Sequence, residues 1–433
     1  MELRYKIKNI LNDKIRKHIA KKLSMGKNYS KIFDVPSEGK IFTNLKYQFQ
    51  KSHQKNFQSE EIRKKIADAF AEASLREQFI SSRIRGKGES NLKPKNILFL
   101  MPRSLPGASP TPNPQLVNLQ IAANKLEIPF NCLFLEDLVA KNFNELEKLE
   151  TELLRNINDS KIDFIFFDMT YRQRFDNVLG IPVVSPKFMK KIKSEINVLT
   201  CAVLIDLYAE QDIEMLREWD ESIDFLLHSE PIALKKSKLN FTGREIFLPY
   251  TGYVNFPKYM GKKELSLNFS GGLDNGNRQR WLNFTIDVCK KMRIQPKFNV
   301  FTRNYSKYNL AQSVYMGNLQ KASMALNLSQ KTDSHWVLTA RTFEIIALGT
   351  LLIHEEKHSE SALSLLYEPY LHYLPFERSE ELEGILQLLK NEPELISKIS
   401  LRAQEFHNNT YTPSKLFSTI LIRKLESSKL NEV

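Results

Sequence analysis

Between residues 96 and 250 the chain alternates short, unbroken apolar runs with longer amphipathic stretches. The runs are NILFLM (96–101), FNCLFL (130–135), DFIFFDM (163–169), VLTCAVLIDL (198–207), IDFLLHS (223–229) and EIFLPY (245–250). Between the first two lies LVNLQIAANKL, and a charged stretch through residue 155 follows the second; both repeat at helical spacing. Strands buried on both faces lose the usual polar alternation, so the pattern predicts βαβ units on a parallel sheet. A second series begins at LSLNFSGG (265–272) and continues through FNVFT (298–302), MALNLS (324–329) and GTLLI (349–353), with helices between. The segment TGYVNFPKYMGKKE (251–264), rich in Gly, Pro and Lys, separates the two series.

Ahead of the first series, Ile62, Ile66, Phe70, Ala73 and Phe79 fall on one face of a helix over residues 60–85. RIRGKGESNLKPK then has the composition of a linker and marks a boundary near residue 90. The expected organisation is a helical extension over 1–90, one α/β domain over 91–255, a second over 262–412 and a final helix over 413–433 that packs back across the junction. At 433 residues the chain exceeds the usual size of a single core. No short-period repeat or low-complexity tract is visible, which excludes a solenoid.

Charge changes the picture mainly at the start. The net charge is +13, and Arg4, Lys6, Lys8, Lys14, Arg16, Lys17, Lys21, Lys22 and Lys27 meet only Glu2 and Asp13 as nearby acids. Ile7, Ile10, Leu11, Ile15 and Ile19 recur among them at roughly helical spacing. A basic amphipathic segment of this kind suits an anionic leaflet, at about 1 kcal/mol per basic residue near the surface. It also suits the solvated face of a packed helix. Nucleic acid fits less well, because few aromatics accompany the charges. Charges interrupt the segment too often for a signal peptide or a spanning helix, and Cys132, Cys201 and Cys289 sit far apart in apolar runs. The expected location is cytoplasmic, peripheral on the inner face of a membrane if the basic segment docks there.

In open parallel sheets, ligands bind beyond the carboxyl ends of strands. In LSLNFSGGLDNGNRQRWLNF a strand leads through Gly271, Gly272 and Gly276 into a helix carrying Arg278 and Arg280. Glycines let backbone N–H groups approach a phosphate and a guanidinium neutralises it, although many α/β packings need such a turn without a ligand. In TARTFEIIALGTLLI, Thr339 or Thr342 can cap a helix whose N-terminus would receive a diphosphate, with Arg341 beside it. Glu344, one turn in, can accept hydrogen bonds from ribose hydroxyls or simply complement the helix dipole.

These segments, with YxxxLxxASMALNLS (315–329), RTFEIIALGTLLI (341–353) and ALSLLYEPYLHYLPFERSEELEGILQLL (362–389), resemble the donor-binding half of GT-B glycosyltransferases. The resemblance is nearest to the spore-protein (CgeB-like) group and spans roughly residues 262–420. Its most specific elements are Arg341, Phe343, Glu344, Ala347 and Gly349 in R-x-F-E-x-x-A-x-G, followed by Phe376 and Leu382 in an F-x-x-x-E-E-L pattern. It implies two Rossmann-like domains facing across a cleft. It also implies that Glu344 holds the ribose of a nucleotide-sugar donor and that Arg341, Thr342 and the Gly271-to-Arg278 loop hold its diphosphate. No cofactor and no metal are implied, since helix dipole and basic residues stabilise the leaving group. Retaining members of the class carry another Glu seven residues before the ribose-binding one; here Val337 stands there.

An inverting enzyme needs a general base from the first domain, and Asp168, Asp206 and His228, each near a strand end, are the candidates. Arg103, in the proline-rich loop MPRSLPGASPTPNP, could meet an anionic acceptor. The acceptor expected is a hydroxyl on a glycan or lipid-linked intermediate, as in polysaccharide biosynthesis.

One motif points elsewhere. His354, Glu355 and His358 spell H-E-x-x-H, the zinc-peptidase pattern, with Glu377 downstream as a third ligand. Gly349 and the apolar run after it favour a strand ending at Ile353, which would leave the histidines in a loop without their helical spacing. A nucleotide-sugar epimerase of the same fold and a non-catalytic basic binding protein complete the alternatives.

Overall fold

In the computed structural model the chain is α/β with two parallel sheets. It describes residues 55–84, 94–102, 113–134, 146–169, 184–204, 216–229, 244–247, 263–272, 276–301, 312–332 and 335–418, with the isolated positions 137, 231 and 261. The basic segment before Lys55, most of both expected linkers, Arg103 and Asp206 lie outside the described residues.

Two helices come first, α1 (Lys55–Ala71) and α2 (Ala73–Ile84). The single expected helix is thus broken at Glu72, and the break moves its apolar stripe. Ile62, Ile66 and Ala73 are buried as expected, but Phe79 is 58% exposed and Ile80 takes the inward position. The pair is not a free-standing extension. Ile62 and Ile66 join the apolar cluster of the second sheet, and Gly384 leaves room for α1, since a Cβ there would sit 3.3 Å from Ile62. On α2, Glu77 receives Arg402 at 2.7 and 2.6 Å and His372 at 3.0 Å, while Arg76 pairs with Glu368.

The first sheet contains β1 (Ile97–Met101), β2 (Phe130–Phe134), β3 (Phe164–Asp168), β4 (Leu199–Leu204), β5 (Phe225–His228) and β6 (Arg244–Phe247), in the order β2-β1-β3-β4-β5-β6, all parallel. Helices α3 (Pro114–Lys125), α4 (Leu146–Asp159) and α5 (Pro186–Ile196) connect its strands. The inner strands β1, β3, β4 and β5 bury both faces, while β2 at the edge is only partly buried. Ile97, Phe99, Phe164, Phe166 and Val203 join one cluster, while Leu98, Leu100, Ile165, Phe167 and Leu204 join the opposite one. This two-sided burial is why the runs carry no polar alternation.

The second sheet holds β7 (Glu264–Gly272), β8 (Gln295–Phe301), β9 (Ala322–Leu328), β12 (Leu351–Glu355) and β13 (Leu374–Phe376), a short hairpin of β10 (Gln330–Thr332) and β11 (His335–Trp336) standing apart. Its order, β13-β12-β9-β7-β8, repeats in its first five strands the arrangement of the first sheet: the opening strand lies between the second and third. Both sheets therefore reverse direction of winding next to their opening strand, the point where open α/β sheets bind ligands. Its helices are α6 (Gly276–Met292), α7 (Gln312–Lys321), α8 (Ala340–Ala347), α9 (Ser379–Asn391) and α10 (Glu394–Thr410).

Here the two faces differ. Leu267, Phe269, Met324, Leu326, Leu351 and Ile353 pack with α6, α9 and α1 in one apolar cluster. The alternate positions carry Ser266, Asn268, Ser270, Ser323, Asn327 and His354, all buried. An apolar cluster runs from Phe99 and Phe166 of the first sheet to Tyr315, Phe343 and Tyr367 of the second unit and includes Phe417. Phe417 stacks on Phe166 with centroids 5.4 Å apart, so the segment after α10 reaches the first sheet. Among the described residues no helix is long and apolar enough to cross a membrane.

Candidate functional site

At the carboxyl end of β7 the backbone comes close to two side chains. A Cβ on Gly271 would lie 3.0 Å from the Phe269 ring and 3.2 Å from an Arg341 guanidinium nitrogen, closer than most real Cβ contacts, so either neighbour would have to shift slightly. Arg341 stands over the face of Phe269, 5.8 Å from its centroid, which holds its planar head against the end of the sheet. Arg341 belongs to the first turn of α8, whose N-cap is Thr339. The Thr339 hydroxyl makes no capping bond, and neither it nor the Arg341 Nε has a partner although both atoms are buried. A helix N-terminus with unspent buried donors beside a glycine-lined strand end is suited to an anion.

One turn into α8, Glu344 is buried and its Oε2 accepts the Tyr315 hydroxyl at 2.9 Å. Burial, then the Glu344 charge, push the Tyr315 pKa well up, while the neighbouring Arg341 guanidinium opposes them. Tyr315 therefore stays a donor. Its place in the site is visible in the sequence only as the first residue of YxxxLxxASMALNLS, where a tyrosine on an otherwise ordinary helix gives no chemical signal.

Arg278 and Thr342 are turned to other tasks. The Arg278 guanidinium donates to the Gly272 carbonyl at 2.9 Å and the Leu328 carbonyl at 3.1 Å, tying the ends of β7 and β9 together across the reversal point. Its charge also faces Glu355, which burial raises in pKa against hydrogen bonds from the Gln330 N–H and the Trp281 side chain and against Arg278 itself. Thr342 is fully buried, and its hydroxyl accepts from Asn327 at 3.0 Å. The structure thus gathers Gly271, Arg341 and Glu344 around one point, with Gly272 and Arg278 clasping the strand ends beneath.

The H-E-x-x-H run is not helical. His354 and Glu355 lie on β12, which extends two residues beyond the expected end at Ile353 and so keeps His354 in the sheet rather than a loop. His354 meets Asn327 at 3.1 Å through Nδ1, and burial lowers its pKa to about 3, leaving the ring neutral. His358 lies in a separate turn, 3.3 Å from Glu381, while its N–H donates to Glu377. Two adjacent strand residues point to opposite faces, so the spacing that brings two histidines and a glutamate onto one metal is absent. Among the described residues no group of three or more His, Cys, Asp or Glu is placed to hold a metal.

At the reversal point of the first sheet, Asp168 ends β3 and is buried, 3.4 Å from the Asn113 amide nitrogen. Asn113 caps α3 through the Gln115 N–H at 3.1 Å and donates to the Pro102 carbonyl at 3.2 Å. Gln115, also buried, has no hydrogen-bond partner at either side-chain amide atom. Gln115 stands in the first turn of α3, directly after its N-cap Asn113 and Pro114. His228, at the end of β5, is lowered by burial to a pKa of about 4.

Comparison with known proteins bears on this geometry. Residues 278–421 match the family described as glycosyl transferase-like. No curated protein matches the sequence. Among solved structures, Anabaena HepE in complex with UDP is 11% identical with a TM-score of 0.46, covering 77% of this chain and 100% of that one. A DNA-modifying β-glucosyltransferase, studied with and without uridine diphosphoglucose, is 12% identical with a TM-score of 0.47, covering 76% and 98%. The N-terminal domain of Candida albicans trehalose-6-phosphate phosphatase is 12% identical with a TM-score of 0.47, covering 79% and 98%.

Proposed function

We propose that this chain, built on two Rossmann-like sheets, is a glycosyltransferase that moves a sugar from a nucleotide-sugar donor to a hydroxyl of a glycan or lipid-linked acceptor. The observation that carries the reading is the cluster at the N-terminus of α8: Arg341 held over Phe269 against Gly271, unspent donors at Thr339 and Arg341, and Glu344 one turn away. The diphosphate meets Arg341 and the first N–H groups of α8. Glu344 accepts from the ribose. Gly271 and Gly272 let the backbone approach, and Arg278 keeps the strand ends in register for it.

The acceptor enters on the first-sheet side of a cleft. Asp168 takes the proton of the attacking hydroxyl as its oxygen bonds to the anomeric carbon, and the nucleoside diphosphate departs with the electrons of the broken bond. His228, neutral and of lowered pKa, is the weaker base; Asp206 and Arg103 stand as further candidates on the sequence alone. Positive charge from α8 and Arg341 meets the developing charge on the leaving group, so the reaction proceeds without a metal or cofactor. Within the class, the CgeB-like group is the reading that the motifs favour. The basic segment between Arg4 and Lys27 brings the enzyme to the inner face of an anionic membrane where a lipid-linked acceptor of surface-polysaccharide assembly resides.

A thermal-shift screen of the purified chain against UDP, GDP, CMP, ADP and dTDP tests the donor site. One nucleotide raises the melting temperature, Glu344→Ala removes the rise, and chelator leaves it unchanged. No rise with any nucleotide, together with a melting temperature lowered by chelator, would overturn the reading in favour of a metal site.

A further inference from the structure

The carboxylate of Glu344 does not stand alone. Tyr315 is nine-tenths buried on α7 and reaches it across the gap between two helices, hydroxyl to Oε2, at 2.9 Å. The Arg341 guanidinium also lies near enough to this hydroxyl to oppose the rise of its pKa. The backbone on either side is fixed. Residue 315 lies on the buried side of α7 between Val314, which is exposed, and Met316, which is buried, and Phe343 and Ile345 flank Glu344 in the core. A buried carboxylate on a helix has rotamer freedom until something anchors one of its oxygens. Phenylalanine at 315 would fill the same volume and anchor nothing.

We infer that Tyr315 is a positioning residue for donor recognition: by holding Oε2 of Glu344 it aims the carboxylate at the ribose hydroxyls and gives the site its preference for ribonucleotides over 2′-deoxyribonucleotides. The inference rests on the donor reading of Glu344. A carboxylate that rotates about its last torsion meets a pair of vicinal hydroxyls only part of the time. One held by a neutral donor is pre-organised for them. Tyr315 makes no contact with the sugar itself in this arrangement. Its removal costs the part of the affinity that depends on where Glu344 points.

The test compares binding of UDP, GDP, ADP and CDP, and of their 2′-deoxy counterparts, to the full chain and to Tyr315→Phe and Glu344→Gln, by calorimetry with thermal unfolding as a control of folding. The unsubstituted protein prefers one ribonucleotide over its deoxy counterpart. Tyr315→Phe reduces that preference on the order of tenfold, as expected for a hydrogen bond to a charged group, and leaves affinity for the deoxy form unchanged. A purely structural role would lower both affinities together and keep their ratio, which overturns the inference. A preference abolished by Glu344→Gln but intact in Tyr315→Phe overturns it while the donor reading stands. A preference intact in Glu344→Gln, or no binding by any member of either series, overturns the donor reading and the inference with it. Should Tyr315→Phe unfold, Tyr315→Met, which also lacks the hydroxyl, replaces it: a lost ratio in a folded variant supports the inference and an unchanged ratio overturns it.

Discussion

The two parallel sheets share a strand order and differ in what they bury. In the first, both faces are apolar and aromatic: Phe99, Phe164, Phe166 and Phe225 lie within 6.0 Å of a ring neighbour. In the second, one face is apolar, but the other carries Asn268, Asn327, His354 and a row of serines. The strand ends differ in the same sense. Asp168, Asn113 and Gln115 make an uncharged-to-acidic crevice at the first reversal point, whereas Arg341, Arg278 and paired glycines make a basic one at the second. One topology thus carries two different strand-end environments, and the difference follows from side chains at the reversal points rather than from the winding of the sheets.

The sharpest way to break this comparison is to remove the acid on one side only. Asp168→Asn should lower sugar transfer by about 10²–10⁴-fold, the usual contribution of a positioned general base, with nucleotide affinity unchanged. A loss of nucleotide binding in steady-state titration would instead join the two crevices into one site. Next in size is Phe166→Ala, which empties the aromatic layer between the first sheet and Phe417 and should cost about 3–5 kcal/mol in denaturant unfolding. If the basic crevice is independent of that layer, donor affinity of the folded fraction stays the same.

The pH dependence sets Glu356 of the second sheet apart from the buried histidines of both sheets. Burial outweighs the hydrogen bonds from Ser361 and Tyr373 and raises Glu356, just past β12, to a pKa of about 7 from an ordinary 4.5. Its contribution to stability is therefore full below pH 4.5 and is lost as the pH rises through 7. Glu356→Gln should be more stable than the parent at pH 8, by up to about 3 kcal/mol, with the difference vanishing near pH 4. His228 on the first sheet and His354 on the second act with the opposite slope. Burial lowers them to about 4 and about 3, so their contribution is present above pH 6.5 and is lost as the pH falls toward those values. Unfolding curves of the parent and Glu356→Gln from pH 4 to pH 8 check both slopes.

Smaller effects sharpen the basic crevice. Gly271→Ala sets a Cβ against Phe269 and Arg341 and should cost about 1–3 kcal/mol of overpacking, with weaker nucleotide binding because Arg341 must move. The smallest change is expected of Thr339→Ala. Its hydroxyl makes no bond in the unliganded protein, so melting should shift by less than about 0.5 kcal/mol of stability, while nucleotide affinity falls about tenfold. Thermal unfolding with and without nucleotide reports both quantities, and an equal change in the two would remove Thr339 from the site.

Much of this architecture was legible in the residues themselves. Apolar runs such as NILFLM, DFIFFDM and MALNLS become strands because two-sided burial leaves no place for polar alternation, and each lies within a few residues of its expected bounds. The glycine pair ending β7 and the R-x-F-E run on α8 were legible in local form, since close backbone approach and a helix N-terminus are properties of a few neighbouring residues. What only the tertiary structure decided depends on contacts between distant segments. Phe79 faces outward because the helix breaks at Glu72 and α2 docks through Glu77 on His372 and Arg402, some 300 residues away. Arg278 is spent on two carbonyls from different strands, Thr342 on Asn327, and Glu344 meets Tyr315 from a helix 29 residues earlier. His354 leaves the zinc pattern because β12 runs two residues further, pairing with β9 and β13. A sequence specifies which groups can donate, accept or carry charge; packing decides which of them are already engaged, and so which remain for a ligand.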